Sequence, residues 1–386
     1  SGSYYSTAGG AAVHTISELA GVSEGTQPCL SSKITYETVK ANIVAGLGAP
    51  NNRTEVVAVN QEDNGNFCNC GDCYKVLQEE GSQSGIWIRF LNQLLADLKP
   101  DYPNLYFQTL AYGHTMEPPK LTKPDSNVVI QYAPWWSFCY KHSFGDTSCE
   151  HNTVVQKQLG EWTKLANRIW VYDYSCRTPY LAPYMNFDVL RQNAKFFADM
   201  GVERYYVQGD MGGVRTTGFE VLCQYLVAKV LWDPYMTEEE FEEHINEFFI
   251  AYYGMGGGYM QEYFKMLREG FHKMSVKHIF PHSYPFEMTR IIDYINYGDQ
   301  IEEWFEQAAF NAETSEQVTR IELEKLSYAF MKLSAEYDYV YTWGDTETRK
   351  QYEEEVTEMC RTVKMKGVRI EEGYDITGVF RLDYPP

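Results

Sequence analysis

The chain has 386 residues, and its 33 Lys and Arg against 53 Asp and Glu leave a formal net charge of −20. That balance argues against a nucleic-acid partner, because binding phosphates needs a basic stripe. There is no apolar run of about 18 residues, so no membrane span is expected, and the start "SGSYYSTAGGAAVHTI" shows neither the basic nor the apolar part of a signal peptide.

In chain order, several stretches repeat one design: an apolar run that ends in polar residues, then a helical segment. "TEVVAVNQED" (54–63) comes first, and "SGIWIRFLNQLLADLKP" (84–100) follows with apolar residues at helical spacing, closed by Pro100. The next runs are "NLYFQTLAYGH" (104–114) and "NVVIQYAPWW" (127–136). A helical piece at 152–167 leads to "RIWVYDYS" (168–175), and an amphipathic helix at 186–201 leads to "VERYYVQGDMGG" (202–213). "AAVHTI" (11–16) is a further candidate strand, and "GFEVLCQYLVAKVLWDP" (218–234) reads as a buried helix, apolar nearly all round.

Strands alternating with helices predict parallel βαβ units covered on both faces. The expected fold is α/β: a (β/α)8 TIM-type barrel, incomplete at its N-terminus in this chain, with a doubly wound sheet as the alternative. Residues 1–234 would form the barrel. After Pro234 the pattern changes to helices, beginning with a capping box at Thr237 and Glu240. Residues 235–386 therefore read as an α-helical C-terminal domain, with "GMGGG" (254–258) as a break.

In parallel α/β folds the working residues sit at the carboxyl ends of the strands. Those ends carry Gln61, Glu62, Asp63 and Asn64; Tyr112, His114 and Glu117; Trp135, Trp136 and His142; Asp173, Tyr174 and Arg177; and Gln208 and Asp210. Paired carboxylates in an aromatic mouth suit glycoside hydrolysis, which needs a protonated acid and a base or nucleophile. The 31 Tyr, 20 Phe and 8 Trp offer ring faces to sugar C–H groups, although any one ring also serves an ordinary core.

Asp63, Asp173, Asp210 and Glu62 are the candidate catalytic carboxylates. Asp63 is preferred over Glu62, because neighbouring residues on a strand point to opposite sides. Each has a plainer reading: Asp63 as a turn cap, Asp173 as a partner of Arg177, Asp210 in a tight turn. The candidate substrate contacts are Asn64, Tyr112, His114, Trp135, Trp136, His142, Tyr174, Arg177 and Gln208.

Cys68, Cys70 and Cys73 form a C-x-C-x-x-C pattern. They could supply three ligands to a structural zinc, the fourth coming from Cys29, Cys149 or a histidine, or they could stand as free or disulfide-bonded thiols. The chemistry otherwise requires no cofactor.

"VVAVNQEDNGNFCNCGDC", "IQYAPWWSFCYKHSFGDTSCEHN", "IWVYDYS", "VERYYVQGD" and "LVAKVLWDP" resemble, in that order, the bacterial DUF4838 family; "HTISEL" and "QPCLSS" resemble its earlier segments. The resemblance spans about residues 14–234. That family looks like a relative of the α-glucuronidase and β-hexosaminidase barrels. The resemblance implies a glycan substrate, such as a uronic acid or N-acetylhexosamine glycoside, and a secreted or cell-envelope location. It also implies that some N-terminal barrel strands lie outside this chain. It departs at "YYVQGD": the family carries a glutamate where this chain has Val207, so that acid is absent here or Asp210 replaces it. A non-catalytic glycan-binding protein on a degenerate barrel is the competing expectation.

Overall fold

The computed structural model describes residues 15–134, 138–174, 181–208, 217–280 and 291–368. The chain divides into two compact units, the first holding residues up to Asp173 plus Asn193–Val207, the second holding Tyr174–Gln192 and the remainder from Gln208.

The first unit is built on five parallel strands: β1 (Glu55–Ala58), β2 (Leu105–Tyr112), β3 (Val128–Ala133), β4 (Arg168–Asp173) and β5 (Arg204–Val207). They lie side by side in sequence order, every neighbouring pair parallel. A doubly wound sheet reverses its strand order at a switch point. This sheet has no reversal, so it has the topology of half a (β/α) barrel. All five strands fall inside the stretches that the apolar runs predict. At the sixth, residues 11–14 lie outside the described residues, and Ile16 opens a short helix, α1 (Ile16–Leu19), rather than a strand.

Helices α4 (Gln83–Leu98) and α5 (Glu150–Leu165) link successive strands, and α6 (Phe187–Asp199) leads into β5. The α4 stripe of Trp87, Ile88, Leu91 and Leu95 is buried, as its spacing predicts. Two further helices, α2 (Lys33–Leu47) and α3 (Gly71–Glu80), flank β1. Ser32 caps α2 by accepting the Thr35 N–H, and Tyr36, Val39, Ile43 and Leu47 form its buried stripe.

Strand alternation gives the sheet two unlike sides. One side meets the helices: Val57, Phe107, Ile130 and Val171 are buried there, and the Tyr132 hydroxyl donates to Gln158 of α5. The register pairs Val57 with Phe107 and Tyr132 with Val171, which puts these residues on that side together. The other side is polar and aromatic, with Asn60 donating to Gln108, the Arg204 guanidinium over the Trp170 ring at 4.2 Å, and Tyr172 packed on Tyr206 at 4.8 Å.

From Glu220 to Lys366 the regular elements of the described residues are all helical: α7 (Glu220–Trp232), α8 (Glu238–Tyr253), α9 (Gly257–Lys273), α10 (Tyr294–Phe310), α11 (Ser315–Trp343) and α12 (Thr346–Lys366), with a 3-10 turn at Gly254–Gly256. The capping box at Thr237 and Glu240 forms as predicted. The glycine run is a close crossing: a Cβ on Gly256 would lie 2.4 Å from the Ala308 carbonyl oxygen. One expectation needs correcting. Helix α7 is not buried all round, because Trp232 is 91% exposed. Its apolar face of Leu222, Leu226 and Val230 is buried, while Leu231 and Trp232 at its end are exposed. Among the described residues no helix is long and apolar enough to cross a membrane.

Candidate functional site at the ends of the first two strands

Past Ala58 the chain leaves the sheet and makes a polar turn that a distant segment holds in place. Gln27 is the main tie. Its side-chain amide donates to the carbonyl oxygens of Glu62 and Asn64, 3.0 Å each, and its Oε1 accepts the Glu62 N–H at 3.2 Å. Asn64 adds two bonds: Nδ2 donates to the Gly25 carbonyl at 2.8 Å, and Oδ1 accepts the Asn66 N–H at 3.0 Å. A turn held through side chains this way has a defined backbone despite lying outside regular structure.

The two acids of the turn diverge. Glu62 is buried, and its carboxylate accepts the Ser17 N–H at 3.0 Å. Asp63 is exposed and accepts the Tyr112 hydroxyl on Oδ1 at 2.9 Å. Tyr112 ends β2, and by register it belongs to the polar side of the sheet.

The two strand-end turns interlock. The Gln61 amide donates to the Tyr112 carbonyl at 2.7 Å, and the Thr115 hydroxyl donates to Gln61 Oε1 at 2.7 Å. The His114 and Phe67 rings meet edge to face at 5.5 Å. Gly65 is pressed so closely on His114 that a Cβ there would lie 2.6 Å from Nε2. Asp63, Asn64, Tyr112 and His114 are therefore brought together: a carboxylate, an amide, a phenol and an imidazole at the carboxyl ends of adjacent strands.

The other candidates are placed differently. Asp173 ends β4 on the helix-facing side, two residues after Val171, and is fully buried. The hydroxyl of Tyr205, a residue that packs on Phe197 of α6 at 4.7 Å, donates to Asp173 Oδ2 at 2.5 Å. His142 lies in the segment between β3 and α5, with Nδ1 3.3 Å from Cys139 Sγ and its carbonyl accepting from Asn152. Tyr174 and Gln208 are buried residues of the second unit. Trp135, Trp136, Arg177 and Asp210 lie outside the described residues.

Several residues important to this region carry no motif of their own. Gln27 is an unremarkable residue 35 positions from the turn it holds. Glu80 is fully buried and gathers Arg89, the Thr122 hydroxyl and the N–H groups of Leu121 and Thr122, which fixes the segment after the β2 turn. These bonds hold its carboxyl below the usual range against the opposing effect of burial, which is the largest single influence on it. On the polar side of the sheet, Gln108 Nε2 and Trp170 Nε1 are buried without a hydrogen-bond partner among the described residues. Only a long-range register could reveal these placements.

The thiols of Cys68, Cys70 and Cys73 lie beside this turn, and Cys29 completes the group; their sulfur atoms all lie within 4.8 Å of one another. The residues present thus fit a four-sulfur ligand set.

Fold and site together define a parallel (β/α) half-barrel with a polar cluster at the ends of its first two strands. The model of the family described as "Domain of unknown function (DUF4838)" matches residues 15–265, and the chain belongs to that family. Among curated proteins, none matches. Two solved structures are similar in part. A GH138 enzyme, described as targeting pectin rhamnogalacturonan II, is 10% identical over 87% of this chain and 65% of its own, with a TM-score of 0.39. CpGH84B is 13% identical over 93% of this chain and 63% of its own, also with a TM-score of 0.39. The chain thus spans just under two thirds of the length of either.

Proposed function

We propose that this chain is a glycoside hydrolase acting on a complex glycan, with Asp63 as a catalytic carboxylate. The observation that carries the reading is the exposed Asp63 carboxylate at the end of β1, bonded to the Tyr112 hydroxyl at the end of β2. Parallel α/β proteins do their chemistry at that end of the sheet. Glycoside hydrolysis asks for a carboxylate that moves a proton or stabilises the developing oxocarbenium charge. Tyr112 and His114 supply groups that can orient a sugar beside it; Trp135 and Trp136, the stacking candidates the sequence offers, lie outside the described residues.

A second acid is needed unless the substrate supplies the nucleophile. Glu62 and Asp173 are committed to protein partners. Of the carboxylates the sequence offers, Asp210 remains, and it lies outside the described residues; for an N-acetylhexosamine, the acetamido group of the substrate itself can serve as the nucleophile. The same two commitments favour the second reading, a protein that binds glycans without cleaving them.

A panel of aryl glycosides and polysaccharides, including uronides and N-acetylhexosaminides, separates the two. Turnover of at least one member, weakened by Asp63→Asn, supports hydrolysis. Saturable binding with no turnover across the panel supports the binding protein and overturns the enzyme reading.

A further inference from the structure

The proposed chemistry leaves the cluster of Cys29, Cys68, Cys70 and Cys73 in the first unit without a role. They come from three places: Cys29 from the segment entering α2, Cys68 from the turn after β1, and Cys70 and Cys73 from the start of α3. Cys29 Sγ lies 3.7 Å from Cys70 Sγ and 3.7 Å from Cys73 Sγ. A disulfide needs about 2.05 Å between its sulfurs. Four sulfurs placed about 2.3 Å from one zinc ion stand about 3.8 Å apart along each tetrahedral edge. The spacing here matches the second geometry.

The surroundings suit thiolates. Cys70 occupies the N-cap position of α3 and Cys73 lies in its first turn, so the helix start presents both sulfurs together. Ser31 serves Cys29 and Cys73: its backbone bonds to both, and its hydroxyl lies 3.1 Å from Cys73 Sγ. Donors aimed at the sulfurs orient ligands and offset their charge, as outer partners of metal sites do.

We propose that Cys29, Cys68, Cys70 and Cys73 hold a structural zinc ion. Binding releases the four thiol protons and leaves a site of net charge −2. Four sulfurs fill the shell, so no position remains for water or substrate, and the ion works as a clamp. It ties residue 29 to residues 68–73, and so pins the segment carrying Gln27, which in turn holds the backbone at Glu62 and Asn64. The proposal does not depend on the glycosidase reading.

The test is metal analysis of the whole chain, purified under reducing conditions, with X-ray absorption at the zinc edge. One zinc per chain surrounded by four sulfurs at about 2.3 Å is expected. Cys70→Ser should lower zinc retention after dialysis against a chelator by about tenfold or more, while Cys360→Ser, in α12, should retain the full content. Folded wild-type protein without zinc would overturn the proposal, as would iron in its place or a shell containing nitrogen or oxygen ligands. If the serine variant fails to fold, the wild-type spectrum alone decides.

Discussion

The ends of β1 and β4 look alike in sequence and differ in the folded chain. Each is an apolar strand closing on an acid: "VVAVNQED" in one case, "IWVYD" in the other. At β1 the chain leaves the sheet before its acids, and Asp63 emerges exposed against Tyr112. At β4 the acid is still a strand residue, and alternation turns it toward the helices, where Tyr205 holds it. An acid at a strand end is placed for chemistry only when its side of the sheet, or its escape from the sheet, brings it into the open.

If that distinction holds, the buried acids should answer to stability and Asp63 to activity. The largest stability effect is expected from Arg89→Met, which leaves the fully buried Glu80 charge without its cation. The loss should be on the order of 3 kcal/mol in denaturant unfolding, and a change below about 0.5 kcal/mol would show that the amide and hydroxyl donors suffice.

Glu324 tests the opposite case, a buried carboxyl with no cation bonded to it among the described residues. It accepts the Phe219 N–H at 3.1 Å, and burial pushes its pKa up to about 7. Below about pH 4.5 it is protonated in both folded and unfolded chains. Between about 4.5 and 7 only the unfolded chain ionises, so stability should fall as pH rises, levelling off above 7. At about 1.4 kcal/mol per unit the total is roughly 3 kcal/mol. Glu324→Gln should flatten the unfolding curve across that window; an unchanged pH slope would remove Glu324 as its source.

Asp173→Asn should cost about 1–3 kcal/mol, because it weakens a buried bond to Tyr205 and alters the charge there. Activity per folded molecule should be retained. The smallest effect is expected from Tyr112→Phe, which removes the hydroxyl bonded to Asp63: about 1 kcal/mol in kcat/KM, or roughly fivefold, with melting temperature nearly unchanged. An equal loss of stability would make Tyr112 a prop for the turn rather than part of the site.

Much of this was legible in the sequence. The β-branched and aromatic runs locate all five strands, and the alternation of strand and helix predicts their parallel order. Glu62 and Asp63 do diverge, but within the turn after Ala58 rather than by strand alternation, so the period of two that favours Asp63 is not what separates them. Helix α3 was hidden because it buries little besides Cys73 and Glu80. Helix α2 does carry a stripe at Tyr36, Val39, Ile43 and Leu47, which a reading centred on strands passes over. The side of the sheet that Asp173 faces depends on where β4 ends, and strand ends are weakly encoded. The ties from Ser17 and Gln27 to Glu62, and from Cys29 to the later cysteines, are long-range contacts that no local pattern announces.

The most direct test of the account is kcat/KM for Asp63→Asn beside Asp173→Asn, on the best substrate of the glycoside panel, with each value referred to folded protein. A loss of about 10²–10⁴-fold at Asp63 with an unchanged melting temperature, and little loss at Asp173, is the predicted result. Full activity in Asp63→Asn, or an equal collapse of activity in Asp173→Asn with its fold intact, would contradict it.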